Sequence, residues 1–277
     1  MRITFAVIYI LLILLLGLFG IISRRSNKSV ALSVSYLQFS FIIPIAGNLI
    51  LVLSDNELLS TIGSYIYFIG MDIMAFCLFD FTLAYCSISW KDNRKKCYIL
   101  YTFLVADILQ YLFNPVFGHA FSMEAITVEG SLYYRLVPYA GQAFHRIVVY
   151  STVFTTGVLF FVKTIRVPRI YAEKYFIIFL TMVVSGIWQT YYIFSRTPID
   201  RSMIAFVVFG ILIFYFSLFF RPFRLLDRML ANIASNIPDA VLFFDANDRC
   251  IWINGNARRF LEIRSDNLEG SVPPNGC

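Results

Sequence analysis

Seven long apolar runs constrain this chain more than any other feature of its sequence. They occupy residues 3–22, 31–53, 61–86, 97–113, 139–162, 175–194 and 203–220. A helix that crosses the roughly 30 Å hydrocarbon core of a bilayer needs about 20 apolar residues. Backbone amides in lipid have to be bonded within the protein, so these runs are predicted to be helices. The sequence therefore predicts an all-α membrane protein, a bundle of seven transmembrane helices in the lipid bilayer.

The composition argues against an ordinary soluble protein. Hydrophobic residues make up 59% of the 277 residues and charged residues only 14%, whereas a soluble domain has about 45–50% apolar and 25% charged residues. The net charge of +6 would suggest nucleic acid as a partner if the protein were soluble. Here the Lys and Arg residues lie mainly in loops between the apolar runs. Membrane topology explains this charge, and no nucleic acid partner is predicted.

The distribution of cations predicts the orientation. Loops 23–30, 87–96 and 163–174 contain three, four and four Lys or Arg residues. The other side has four: Arg2, Arg135, Arg196 and Arg201. Cation-rich loops face the cytoplasm, so the N-terminus is predicted outside the inner (plasma) membrane and the C-terminus inside. The first run is predicted to be a retained anchor, because it is followed by cations rather than by a small-residue cleavage site.

The longest outer loop, 114–138, contains two stretches with β-forming composition. Ala125–Val128 and Ser131–Val137 lie on either side of Glu129-Gly130. Two such stretches around a short turn predict a hairpin that covers the outer mouth of the bundle. An irregular loop is the alternative.

Polar and ionisable residues within a membrane span are costly, so each is a candidate functional residue. At a rise of 1.5 Å per residue, Asp72 and Asp107 are expected near the midplane and Arg146 in the outer half. An ion pair of Arg146 with one of the two acids is one interpretation, contact with a ligand is the other, and a pair that opens for a ligand would combine them. The residues expected to converge on one outward-opening pocket or charged network are Asn48, Asp72, Asp107, Gln110, Gln142, His145, Arg146 and Gln189.

The cysteines and histidines predict neither a metal site nor a disulfide framework. None of the five cysteines has CxxC spacing. His119 and His145 are the two histidines of the chain, which excludes a three-His metal site. No Ser/His or paired-Asp arrangement stands out, so no catalytic residue is predicted, and the motifs point to no particular cofactor.

After Phe220 a second kind of sequence begins. Phe223, Leu226, Leu230, Ile233 and Ile237 recur at spacings of three and four, a short heptad stripe. The stripe predicts a signalling helix over 223–237 that pairs with a second copy in a homodimer. An amphipathic helix that lies on the next domain is the alternative.

The last part of the chain has the pattern of a small α/β unit. A strand is predicted at Val241–Asp245, a polar turn at 246–249, a strand at Cys250–Ile253 and a helix at Asn256–Leu261 with Asn254 as its N-cap. This order resembles the opening of a PAS domain, and so do two segments, Ile237-Pro238-Asp239-Ala240-Val241 and Ile253-Asn254-Gly255-Asn256-Ala257. A whole PAS domain is longer, so 238–277 is expected to be a truncated N-terminal part.

Seven helices, a signalling helix and a PAS opening together resemble one bacterial family. It is the seven-transmembrane N-terminal sensor region of histidine kinases, also found on diguanylate cyclases. The segment Tyr134-Arg135-Leu136-Val137-Pro138-Tyr139, followed by Phe144-His145 and Tyr150-Ser151, is similar to that family's entry to helix five. The resemblance implies a sensor domain, 1–222, that passes a small-molecule or membrane stimulus through helix seven to a cytoplasmic output domain. The sequence contains no ATP-binding boxes and no cyclase signature, so this chain is not expected to be an enzyme.

Other classes of membrane protein fit the sequence less well. Retinal proteins need a Lys in the last helix, and none follows Lys174. A G-protein-coupled receptor would have its Asp/Glu-Arg-Tyr motif near Ala84-Tyr85-Cys86-Ser87, which does not match. A small transporter or channel, with Asp72, Asp107 and Arg146 on the substrate path, is the open alternative.

Overall fold

The computed structural model describes residues 2–89, 94–128, 130–195, 199–220, 237–244 and 250–261. The chain divides into two compact units, Met1–Phe220 and Arg221–Cys277, and each is described by itself. Four residues of the predicted signalling helix lie outside the described residues: Phe223, Leu226, Leu230 and Ile233. Ile237 is described, as the first residue of a short segment in the second unit.

Helices dominate the first unit. They are α1 Arg2–Arg24, α2 Ala31–Leu53, α3 Glu57–Tyr85, α4 Arg94–Phe117, α5 Ala140–Arg166, α6 Arg169–Ser195 and α7 Ser202–Leu218. The first six contain spans that are long and apolar enough to cross a membrane, whereas α7, with 17 residues, is shorter. The first unit is therefore a mainly helical, multi-pass membrane bundle, which confirms the predicted fold class at this level.

The exposed side chains of the helices identify a lipid-facing surface. In α1, Leu14 is 64% exposed and Leu18 is 53% exposed, while Tyr9 and Leu16 are fully buried. Similar exposed leucine, isoleucine and phenylalanine side chains occur on α4, α5 and α6. A water-soluble protein does not expose so continuous an apolar surface. Burial of Tyr9 and Leu16 places the opposite face of α1 in the core of the bundle.

Glycines bring α2 and α3 into close contact. A Cβ atom added to Gly47 would lie 2.5 Å from the backbone nitrogen of Tyr67, and one added to Gly70 would lie 2.7 Å from the backbone nitrogen of Pro44. Small residues at a helix interface let two backbones approach closely in a membrane. The two helices therefore pack almost backbone to backbone.

A β-hairpin connects α4 to α5. Strand β1, Phe121–Val128, pairs antiparallel with β2, Ser131–Pro138, which confirms the predicted hairpin and lengthens its first strand. Gly130 in the turn has φ +74°, a left-handed conformation that glycine adopts readily. Phe121 is buried, and its ring lies 5.1 Å from that of Tyr65, so the base of the hairpin is anchored to α3.

The hairpin also determines where α5 begins. The amide of Tyr139 donates to the carbonyl of Ala120 at 2.9 Å, and the side-chain amide of Gln110 donates to the carbonyl of Gly141 at 2.8 Å. Gln110 precedes the end of α4 by seven residues, which corresponds to about 10 Å of helix. Helix α5 therefore starts well inside the bundle rather than level with the end of α4.

The described part of the second unit contains two strands and a short helix. Strand β3, Leu242–Phe244, pairs antiparallel with β4, Cys250–Ile253, and α8, Gly255–Phe260, follows. The Oδ1 atom of Asn254 accepts from the amide of Ala257 at 2.7 Å and from that of Val241 at 3.1 Å. The predicted strands and N-cap are confirmed, while the resemblance to a PAS domain remains a prediction.

Candidate functional site

Two acids and one imidazole meet in the interior of the bundle. Asp72 comes from α3, Asp107 from α4 and His145 from α5, and their exposures are 0%, 0% and 5%. The Nδ1 atom of His145 lies 2.7 Å from Oδ2 of Asp107 and 3.5 Å from Oδ1 of Asp72. These three side chains are called the Asp-His cluster below.

Neighbouring side chains hold Asp107 and His145 of the Asp-His cluster in place, whereas Asp72 has only a long contact with His145. The side-chain amide of Gln110 contacts the second oxygen of Asp107. The rings of Phe68 and Tyr111 lie 5.2 and 5.3 Å from that of His145, in edge-on geometry. By contrast, neither oxygen of Asp72 has a hydrogen-bond partner in the part of the chain that the structure describes. Its contact with His145 at 3.5 Å is too long for a good hydrogen bond.

Of the two interpretations of Arg146 that the sequence leaves open, an ion pair with a buried acid does not occur among the described residues. Within the described residues, Asp72 and Asp107 face His145, and Arg146 makes no ion pair with either acid. The reason is the deep start of α5, which brings His145 level with the two acids. Consecutive helix residues differ by about 100° in direction, so Arg146 points elsewhere, into a cavity.

A cavity of about 560 Å³ lies beside the cluster and below the hairpin. Of the predicted site residues, Asn48, Gln142, His145, Arg146 and Gln189 line it, whereas Asp72, Asp107 and Gln110 do not. The other lining residues are Leu51, Ser64, Tyr67, Phe68, Met71, Met123, Glu124, Tyr134, Arg135, Leu136, Val137, Pro138, Val149, Tyr150, Tyr192, Ile193 and Phe194. The predicted convergence on one pocket thus applies to five of the eight residues.

The cavity has an unbalanced positive charge. Glu124 and Arg135, on the two hairpin strands, form an ion pair at 2.5 Å and largely neutralise each other. Arg146 forms no ion pair among the described residues, and its buried Nε atom has no hydrogen-bond partner there. Most of the remaining wall is aromatic or aliphatic. This combination of an apolar wall and one free guanidinium suits an anion with an apolar body.

A third buried acid, Asp200, is not among the candidate residues that the sequence analysis predicts. Its exposure is 1%, and its carboxylate accepts from the Tyr67 hydroxyl at 2.7 Å and from the amide of Ser202 at 2.9 Å. Its backbone carbonyl accepts from Tyr9 Oη at 2.7 Å and from Asn48 Nδ2 at 3.2 Å. These residues, with Gln189, are called the Asp200 network, and they connect α1, α2, α3, α6 and the start of α7.

Three residues of the cavity wall, Asn48, Tyr67 and Gln189, therefore also have a structural role. Gln189 donates to the Tyr67 hydroxyl at 3.0 Å and contacts Ser202, while Asn48 bonds the Asp200 carbonyl. Burial raises the pKa of Asp200 to about 6, although the hydrogen bonds from Ser202 and Tyr67 oppose the shift. An available sequence signal was Asp200-Arg201-Ser202 directly before an apolar run, because an Asp at that place is typical of a helix start.

Comparison with models of known protein families and with curated protein sequences finds no match to this chain. The geometry itself offers two kinds of chemistry. The cavity can hold a small molecule, and the Asp-His cluster presents ionisable groups of the types that exchange protons or bind cations.

Proposed function

We propose that this chain is a signal-sensing input module of a bacterial signal-transduction protein of the two-component histidine kinase type. The observation that carries the proposal is the cavity of about 560 Å³ between α2, α3, α5, α6 and the hairpin. Its volume is within the roughly 300–1,000 Å³ range of small-molecule sites. The stimulus is a small amphipathic anion, because Arg146 is the cation in its wall that lacks an ion-pair partner in the described structure.

The Asp200 network supplies a route from the cavity to α7. Tyr67, Asn48 and Gln189 line the cavity and also belong to the network. A ligand that displaces these side chains changes the hydrogen bonds at the start of α7. Because α7 leads along the chain to 223–237, the change passes to the signalling helix and then to the PAS-like unit. A ligand acts in this way only if it binds the two arrangements with different affinity.

The same proposal places the protein in the inner membrane with its N-terminus outside and its C-terminus in the cytoplasm. The cation-rich loops support this orientation. The signalling helix is proposed to form a homodimer, and a histidine kinase is the proposed output, with a diguanylate cyclase as the other candidate. Reporter fusions at Arg2 and after Ile237 test the orientation. Reporters active on the same face of the membrane would contradict an odd number of crossings.

Ligand binding can be tested on the full chain reconstituted in lipid nanodiscs. The probes are benzoate, octanoate and their uncharged amides, measured by calorimetry. We expect a carboxylate to bind at least about tenfold more tightly than its amide, because a charge-assisted contact with a guanidinium is lost in the amide. Arg146→Ala should remove the difference. Arg166→Ala, at the opposite end of the same helix, is the matched control and should keep it.

Binding and uptake measured together separate sensing from transport. If carboxylate and amide bind equally, or if Arg146→Ala does not change binding, the proposed site is wrong. Uptake of a labelled carboxylate into proteoliposomes, lost in Asp107→Asn, would favour a transporter instead. A sensor is expected to bind the probe without net flux.

A further inference from the structure

We propose that the Asp-His cluster is a binding site for a divalent transition-metal cation, with zinc as the best fit. One oxygen each of Asp72 and Asp107 and the Nδ1 atom of His145 lie within 4.8 Å of one another. The three ligands come from three different helices, and all three are buried. Metal binding here does not depend on the proposed sensing role of the cavity.

The charge of the Asp-His cluster favours a bound cation. Two carboxylates with no exposed surface are very costly in an apolar interior unless their charge is balanced. No Lys or Arg pairs with either acid within the described ranges, and His145 supplies at most one positive charge. A divalent cation with two carboxylates and a neutral imidazole gives a net charge of zero. The cluster is then electrically neutral in the region that the membrane surrounds.

The unused hydrogen-bonding capacity of Asp72 also favours a bound cation. Buried polar atoms nearly always have hydrogen-bond partners. Both oxygens of Asp72 are buried, and both lack a partner in the described part of the chain, although the side chain faces the other two ligands. These oxygens are therefore available to a cation, which accepts electron pairs where a hydrogen bond would otherwise be needed.

The donor set selects the class of metal. Mg²⁺ and Ca²⁺ prefer oxygen ligands and more of them than two carboxylates provide, whereas an imidazole nitrogen with carboxylates suits zinc and its neighbours. Zinc bonds of about 2.0–2.2 Å in tetrahedral geometry separate two ligand atoms by about 3.3 Å. The 3.5 Å between His145 and Asp72 is close to this value, and the 2.7 Å to Asp107 must lengthen by about half an ångström.

Neighbouring residues complete the arrangement. Gln110 contacts the oxygen of Asp107 that does not face His145, and such outer contacts orient metal ligands. His145 also lines the cavity, so a fourth ligand, water or an anionic group, can approach from that side. Three protein ligands with one open position allow the metal to bind an exchangeable group.

The test uses the full chain, purified in detergent without a histidine tag, treated with a chelator and dialysed against Zn²⁺. We expect one zinc per chain by elemental analysis, with no retention of Mg²⁺ or Ca²⁺. Asp72→Asn and His145→Gln should each weaken zinc affinity by more than about 100-fold, since loss of even an outer contact costs about 10–100-fold. Asp80→Asn is the matched control, because Asp80 lies on the same helix but bonds Ser33.

Folding of each variant is checked by circular dichroism. Zinc should raise the melting temperature of the wild-type protein and of Asp80→Asn but not that of Asp72→Asn, because a ligand stabilises the state that binds it. If Asp72→Asn does not fold, Asp107→Asn replaces it. Absence of zinc from the wild-type protein would overturn the site. So would an equal zinc content in the wild type, Asp72→Asn and Asp107→Asn. The first outcome leaves a proton-sharing cluster, and the second indicates binding elsewhere, for example at cysteines.

Discussion

The Asp200 network and the Asp-His cluster are both built around buried acids where several helices meet. They differ in how far the hydrogen-bonding capacity of the acid is used, and an acid whose oxygens all have partners is called saturated below. The carboxylate of Asp200 accepts hydrogen bonds on both oxygens, and its carbonyl accepts two more. Asp72 is equally buried, but its oxygens have no such partner among the described residues. A saturated acid fixes the helices around it, whereas an unsaturated acid is available to a ligand. Burial alone therefore does not separate structural from functional acids.

The largest effect is expected from removal of the saturated acid. Asp200→Ala leaves the Tyr67 hydroxyl and the Ser202 amide without their acceptor. Each orphaned buried donor costs about 1–3 kcal/mol, so the free energy of unfolding in detergent should fall by about 3 kcal/mol. Asp55→Ala, at an exposed acid, should change it by less than about 0.5 kcal/mol. Equal losses in the two variants would contradict a structural role for Asp200.

The second effect is the pH dependence of stability from Asp200. Its folded pKa of about 6 lies above the ordinary value of 3.8, so the folded state binds a proton more readily than the unfolded state. Stability from this group is fully present below about pH 4 and is lost as the pH rises to about 6. The loss should be about 2–3 kcal/mol, since one pKa unit corresponds to about 1.4 kcal/mol.

This dependence is measured as the difference between wild type and Asp200→Asn, melted from pH 4.5 to pH 7.5. The subtraction is needed because Tyr9, Tyr67, Tyr192 and Arg201 also act on or near Asp200, and other groups titrate elsewhere. We expect the difference curve to decline with rising pH. A curve that rises instead would show that Asp200 is charged when folded at low pH.

An effect of opposite sign is expected at the unsaturated acid. In the metal-free protein, Asp72→Asn removes a buried charge without removing a hydrogen bond. The free energy of unfolding should therefore rise, by about 1 kcal/mol, because burial of the Asp72 carboxylate is costly and its long contact with His145 returns little. Thermal melting after chelator treatment measures it. A loss of several kcal/mol would mean that Asp72 is as structural as Asp200.

The smallest effect on stability is expected at Arg146. Its Nε atom has no partner within the described chain, and the side chain faces the cavity. Arg146→Ala should change the free energy of unfolding by less than about 0.5 kcal/mol, because no ion pair is broken. Gln189→Ala, which removes contacts to Tyr67 and Ser202, should cost more, about 1 kcal/mol. Denaturant or thermal melts of the two variants measure both changes in the free energy of unfolding. A larger loss in Arg146→Ala than in Gln189→Ala would contradict this order.

The sequence predicted the helices well because apolar runs of this length have few alternatives in lipid. Their boundaries were less accurate. Helix α3 begins at Glu57 and α4 at Arg94, whereas hydropathy placed those starts at residues 61 and 97. Helical hydrogen bonding continues into charged residues at the membrane surface, where hydropathy has already fallen.

The candidate site was harder to predict. The polar residues were identified one by one, but their grouping depends on the depth at which α5 begins, and the hairpin contacts to Ala120 and Gln110 determine that depth. Asp200 lies between two apolar runs, where the sequence indicates an exposed loop, and its burial among five helices comes only from tertiary packing. Neither feature follows from spacing along the chain.

A single residue, Tyr139, separates the end of β2 from the start of α5. Its amide is already bonded to Ala120, so the joint has almost no slack. A displacement of the hairpin would therefore also displace the start of α5, whose second turn contains His145. The first six residues of α5 are thus the covalent connection between the hairpin and the two buried acids that His145 contacts.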